Sequence, residues 1–200
     1  MSGGPGRRQS LTERRERRAA IDDPAVVLEA AARFLEVRSR SVAEVRRRLA
    51  QAGYRADLVE GAIVRMTDLG MLDDETFARA WVESRDRARP RGERAIREEL
   101  RLKGVERASI DLVLAERREA VEADDGNSQG IDGAPASSPD RIAAERLLAK
   151  HRRSLERVAD PRQRRQRAYA LLARNGFDPE TCREAAAGFE RDPGIGDQPD

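Results

Sequence analysis

Val45-Arg46-Arg47-Arg48-Leu49-Ala50-Gln51-Ala52-Gly53-Tyr54 has two counterparts further along the chain, one running from Ile96 through Gly104 to Val105 and one from Ala168 through Gly176 to Phe177. Counting back from each glycine, position −4 is Leu49, Leu100 and Leu172, and position −8 is Val45, Ile96 and Ala168. Six residues past the glycine stand Val59, Ile110 and Cys182. Apolar residues four apart lie on one face of a helix. The glycine suits the left-handed residue that ends a helix, and the apolar residue after it can pack on the helix that follows. Each copy therefore reads as helix, tight turn, helix, and the recurrence is an internal repeat.

A further helix precedes each turn, over roughly 24–37, 73–88 and 139–154, so the repeating unit has three helices. Ser41 and Glu44 have capping-box spacing, and Asp160-Pro161-Arg162-Gln163 sets an acceptor, a first-turn proline and a glutamine in order. Asp178-Pro179 opens the last helix in the same way, while Leu72 and Phe77 around Asp73 match a hydrophobic staple. Sustained strand alternation is missing. The expected fold is all-α and elongated, with three tandem three-helix repeats and about nine helices. The expected division is a disordered basic arm at 1–22, repeats at 23–71, 72–121 and 139–189, a flexible acidic linker at 122–138 and a disordered tail at 190–200. Residues 123–138 are rich in Gly, Asp, Ser and Pro, with Ile131 as the one large apolar residue, and the spacing between glycines grows there from 51 residues to 72. That composition predicts a linker that lets the third repeat move relative to the others.

Two hundred residues with 38% apolar content favour small cooperating units over one large core. No window approaches the roughly 18 apolar residues of a membrane helix, and no apolar stretch follows the basic N-terminus, so a cytoplasmic chain without membrane association is expected. One cysteine, Cys182, and one histidine, His151, leave neither an internal disulfide nor a zinc-ligand cluster. The net charge of +2 averages over unlike segments: residues 7–18 carry six Arg against two Glu, and 140–187 carry twelve basic residues against seven acids. Residues 122–139 hold four acids and no base, and from Gly188 onward four acids face Arg191. A phosphate-binding glycine loop, a Gly-x-Ser-x-Gly elbow and paired histidine ligands are all missing, so no enzyme, cofactor or catalytic residue is expected.

Leu69-Gly70-Met71-Leu72-Asp73-Asp74 followed by Phe77-Ala78 and Trp81, then Arg89-Pro90-Arg91-Gly92, Glu99-Leu100 and Lys103-Gly104-Val105, closely resembles the central repeat of RecX regulatory proteins. The resemblance lies in several motifs in one order, and it extends more weakly from about Val26 to Phe189. The insertion at 123–138 and the basic N-terminal arm depart from the family pattern. The resemblance implies a non-enzymatic regulator that binds along the helical groove of the bacterial RecA recombinase filament. There it would restrain filament growth and lower recombinase and co-protease activity in DNA repair, recombination and the SOS response. A monomer is expected, with single- or double-stranded DNA as a further candidate partner.

Arginine supplies the candidate contacts, because its planar fork pairs bidentately with carboxylates and phosphates. The second repeat offers Arg85, Arg87, Arg89, Arg91 and Arg94 within ten residues. Asp86, Glu93, Glu98 and Glu99 lie at helical distance, so internal pairing and partner binding both stay open there. Arg46, Arg47 and Arg48 in the first repeat, and Arg162, Arg164, Arg165 and Arg167 in the third, have fewer acidic neighbours and favour a partner. Arginine outnumbers lysine 37 to 2, a bias that weakens any argument from count alone. Phe77 and Trp81, four apart, read as core rather than as a base-stacking platform. His151 reads as half-buried, Cys182 as a small buried hydrophobe, and Asp73-Asp74 as helix caps rather than cation ligands. The rival functions are a helix-turn-helix transcription factor with residues 95–103 as recognition helix, and an interaction scaffold.

Overall fold

The computed structural model describes residues 10–127 and 138–191. The linker centre, the first nine residues and most of the expected tail lie outside them. Among the described residues ten helices and no strand are found. The chain divides into two compact units: one runs to Phe77 and includes Lys103–Val105, the other comprises Ala78–Leu102 and the residues from Glu106 onward.

The first unit holds α1 (Leu11–Ala19), α2 (Pro24–Leu35), α3 (Val42–Ala52), α4 (Ala56–Asp68) and the opening turn of α5 (Asp74–Ala88). Asp23, with Pro24 after it, caps α2 by accepting from the Ala25 amide, and Ser41 and Glu44 form a complete capping box on α3. Gly53 ends α3 at φ +99°, and the Tyr54 amide donates back to the Leu49 carbonyl. Val27, Ala31, Val45, Leu49, Val59, Ile63, Met66 and Leu72 form the core. Asp73 accepts from the Glu75 amide and the Thr76 hydroxyl, whereas Asp74 accepts from the Val42 amide at the start of α3. The two aspartates thus serve two different helix starts.

The turn Lys103–Val105 lies against that same helix start. Ser41 Oγ donates to the Lys103 carbonyl at 2.6 Å while accepting from the Glu44 amide. Lys103 Nζ and Arg38 Nη2 donate to Glu44 Oε1 at 2.9 and 3.2 Å. A Cβ on Gly104 would lie 2.3 Å from the Ala43 Cβ.

The second unit holds the rest of α5, then α6 (Glu93–Leu102), α7 (Arg107–Asn127), α8 (Pro139–Glu156), α9 (Pro161–Arg174) and α10 (Pro179–Arg191). Leu147, Leu148, Ala168, Leu172, Phe177, Cys182 and Ala185 form the core under α8–α10. Ile96, Leu100, Ile110, Val113 and Leu114 are buried where α6 packs on α7. All nine residues that set the repeat register are 2% exposed or less. A second glycine contact repeats the first: a Cβ on Gly176 would sit 2.4 Å from the Ala95 Cβ, and Gly92 N donates to the Asn175 carbonyl.

Some local expectations change. Residues 11–19, expected within a disordered arm, form α1, because Ser10 and Glu13 close a capping box and the helix packs on α3. α7 runs on through Asn127, beyond the expected linker start at residue 122. His151 is exposed rather than half-buried. Trp81 is half-buried rather than fully in the core and donates its Nε1 to Glu99, whereas Phe77 and Cys182 are buried as expected.

If close approach sets the glycine turns, Gly176→Ala should destabilise by about 2–5 kcal/mol, combining left-handed strain with overpacking. Gly70 has φ +68° but open space around it, so Gly70→Ala should cost only the strain, about 1–2 kcal/mol. Urea unfolding of both variants separates the two contributions.

Burial pushes the Glu44 carboxyl up, but hydrogen bonds from Lys103 and Arg38 outweigh it and leave the group below the usual glutamate range. A depressed folded value stabilises above the unfolded value and is lost as pH falls through the folded one. Glu44→Gln should therefore be less stable than wild type at neutral pH, and thermal melts of the two should converge on acidification below about pH 4.

Candidate partner-binding surface

The middle helix of each repeat carries arginines, and their surroundings sort them into structural and available groups. On α3, Arg46, Arg47 and Arg48 are all exposed. Arg46 forms a fork with Glu60, its Nε and Nη2 at 2.7 and 3.0 Å from the two carboxylate oxygens, and this bond holds its pKa above the ordinary value. Arg47 has no ion pair among the described residues. The Arg48 guanidinium lies 5.6 Å from the Phe34 ring centroid.

Around the α5–α6 link, internal pairing takes three of the five candidates. Arg85 is the most enclosed: its Nε donates to Glu99 Oε2 at 2.6 Å, and its guanidinium stacks 4.2 Å from the Trp81 centroid. Trp81 Nε1 donates to the same carboxylate oxygen at 2.8 Å. Arg91 donates to Asn175 Oδ1 at 2.9 Å, and Arg87 pairs with Glu83 one turn earlier. Arg89 and Arg94 are exposed and have no ion pair among the described residues. On α6 itself Arg97 pairs with Glu93 and Asp111, and Arg101 with Glu98, so the helix considered for base recognition spends most of its cations internally.

In the third repeat Arg162, Arg165 and Arg167 are exposed at the start of α9. Arg164 turns inward instead, donating to the Val158 and Ala159 carbonyls at 3.1 and 3.4 Å. Arg162 and Arg165 line a groove of about 480 Å³ together with Tyr169 on α9 and Arg183 on α10.

The sequence reading missed Arg117, which with Arg97 and Lys103 belongs to the framework. Its side chain is 7% exposed. Nε and Nη2 grip both oxygens of Asp86 at 3.0 and 2.7 Å, and Nη1 donates to Asp140 at 2.7 Å. Asp140 also accepts from the Glu93 amide, so one guanidinium ties α5, α7 and the start of α8 together. Burial alone would lower its pKa, but the two carboxylates outweigh that and keep it charged. The missed signal was an arginine in line with Ile110, Val113 and Leu114 on a buried helix face.

Three three-helix domains in tandem, each presenting arginines from its middle helix, define a helical-repeat protein with basic faces. Sequence models of RecX match all three: the first three-helix domain over residues 28–66, the second over 73–114 and the third over 143–186. The Regulatory protein RecX of Mycolicibacterium vanbaalenii is 35% identical over 152 residues, covering 73% of this chain and 72% of its own. That of Mycolicibacterium smegmatis is 37% identical over 111 residues, covering 52% and 59%. The crystal structure of RecX from Lactobacillus salivarius shares the fold, with a TM-score of 0.62 at 18% identity over 85% of this chain and 98% of that one. The chain belongs to the RecX family. No described helix is long and apolar enough to cross a membrane.

The sorting predicts unequal costs. Arg85→Ala should destabilise by about 2–3 kcal/mol, because it strips a charged partner from a largely enclosed Glu99. Arg89→Ala and Arg94→Ala should stay within about 0.5 kcal/mol of wild type in the same chemical unfolding assay.

Proposed function

We propose that this chain acts in the cytoplasm as a modulator of the RecA recombinase, binding the filament that RecA forms on single-stranded DNA and lowering its recombinase and co-protease activities. The match of all three successive domains to RecX carries this reading. The relatives at about a third identity are themselves named regulatory proteins, which fits binding rather than catalysis. Arg47, Arg89, Arg94, Arg162, Arg165 and Arg167 are among the exposed candidates from the sequence, and they suit an acidic filament groove by the bidentate geometry of guanidinium. The transcription-factor reading loses ground to the internal pairing of Arg97 and Arg101 on α6.

Substoichiometric protein should slow ATP hydrolysis and strand exchange by RecA on single-stranded DNA. The triple variant of Arg162, Arg165 and Arg167 to Glu spares Arg164, which closes the turn before α9, and should need roughly tenfold more protein for half-inhibition. Rising salt should move wild type toward the variant, since exposed charges are screened beyond ~10 Å at 0.1 M. Equal inhibition by the folded variant would remove this face from the mechanism. A wild-type protein inert toward the filament would overturn the proposal.

A further inference from the structure

The first unit carries a groove of about 720 Å³ that the proposed function does not use, walled by α1, α2 and the end of α3. α1 lies before the residues matched by the family's domains, which begin at residue 28. Three contacts hold it in place. A Cβ on Gly53 would lie 2.9 Å from the Arg15 Cα, so only a glycine turn lets the α1 backbone come this close. Arg18 Nη1 donates to the Ala52 carbonyl at 3.2 Å, and its guanidinium sits 5.6 Å from the Tyr54 ring centroid.

Arg14, Arg15, Arg18 and Arg48 face this groove, and no lining residue is acidic. Among the described residues none of these four has an ion pair, in contrast to Arg85, Arg87 and Arg97 in the second unit. The groove is not purely ionic. Leu11 contributes a side chain that is 80% exposed, and Ala30 and Ala52 add apolar surface. The two rings at the groove are already faced by guanidinium groups, Tyr54 by Arg18 and Phe34 by Arg40 and Arg48. A nucleic-acid strand would satisfy the cations but would find no uncovered ring to stack on and would leave Leu11 without a partner. A polypeptide bearing carboxylates and apolar side chains together satisfies both kinds of wall.

We propose that the α1–α3 groove is a docking site for an acidic peptide segment that carries apolar side chains between its carboxylates. Arg14, Arg15 and Arg48 take the carboxylates, and Leu11 with the neighbouring alanines takes the apolar side chains. α1 is a wall of the site, and the Gly53 approach fixes that wall against α3.

Fluorescence anisotropy on the full chain tests this with a short labelled peptide in which aspartate alternates with leucine. Binding should saturate, weaken with salt, and drop roughly tenfold when serine replaces the leucines. Arg14→Glu with Arg15→Glu should weaken it by about tenfold or more, with helicity retained because both side chains are exposed. Arg48→Glu approaches the groove from α3, so it should weaken binding even if the α1 variant loosens its own helix. The proposal is overturned if the peptide does not saturate, if these variants bind it as wild type does, or if oligothymidylate of equal charge binds more tightly and displaces it.

Discussion

The close seating of a glycine turn on the first turns of a helix is the contact on which the rest of the structure depends. Gly104 meets Ala43 near the start of α3, and Gly176 meets Ala95 near the start of α6, each at a separation that leaves no room for a Cβ. A three-helix repeat of about 50 residues buries too little surface to be secure alone. Fitting a bare turn against an alanine near a helix start brings backbone to backbone. The polar groups exposed at a helix start then find partners across the seam: Ser41 Oγ with the Lys103 carbonyl, and the Gly92 amide with the Asn175 carbonyl. The turn therefore does two jobs with one residue, ending its own helix and presenting a flat surface to another.

Charge is layered on that seam in two grades. Lys103 with Glu44, Arg85 with Glu99, and Arg117 with Asp86 and Asp140 are enclosed, and each ties together separate elements. Removing one partner from such a pair strands the other in a poorly solvated place, so these residues are bound to the fold. Exposed pairs such as Arg33 with Glu29 contribute little by comparison. What is left after both grades is a smaller set of exposed arginines than the 37 in the chain suggests. Net charge could not reveal that set, because it weighs an arginine locked in the interior and one open to solvent alike.

The repeat register was legible because it rests on one-dimensional facts: apolar residues four apart, a glycine at a fixed offset, caps at helix starts. Leu49, Leu100 and Leu172 needed no tertiary knowledge to be placed in the core. The arginines were only half legible. Arg87 pairs with Glu83 within one helix, and that spacing can be counted, but Arg91 meets Asn175 and Arg117 meets Asp140 through folds of the chain that no spacing encodes. Asp86 shows the same limit, since it stands beside the Arg85–Arg91 run in sequence yet turns to Arg117. α1 was missed because its mean composition is strongly basic, which resembles a solvated arm. Its Ser10–Glu13 capping box carries the signal that composition hides.

α1 also supplies a seat for the first repeat glycine. Gly53 is the first of the three repeat glycines, and by the rule of the other two it needs a helix to sit against. No three-helix repeat precedes it among the described residues, and α1 fills the role, with its Ser10–Glu13 box matching Ser41–Glu44 and its Arg15 backbone under the glycine. The third repeat differs at the matching place. Ala43 stands ten residues before Gly53 and Ala95 nine before Gly104, whereas the same offsets from Gly176 give Gln166 and Arg167, both long and exposed. α9 thus carries long polar side chains at the offsets where α3 and α6 carry alanine. Arg167 is one of the residues that give the third repeat its basic face. The third repeat therefore presents charge from the place where the other two present a small residue to a turn.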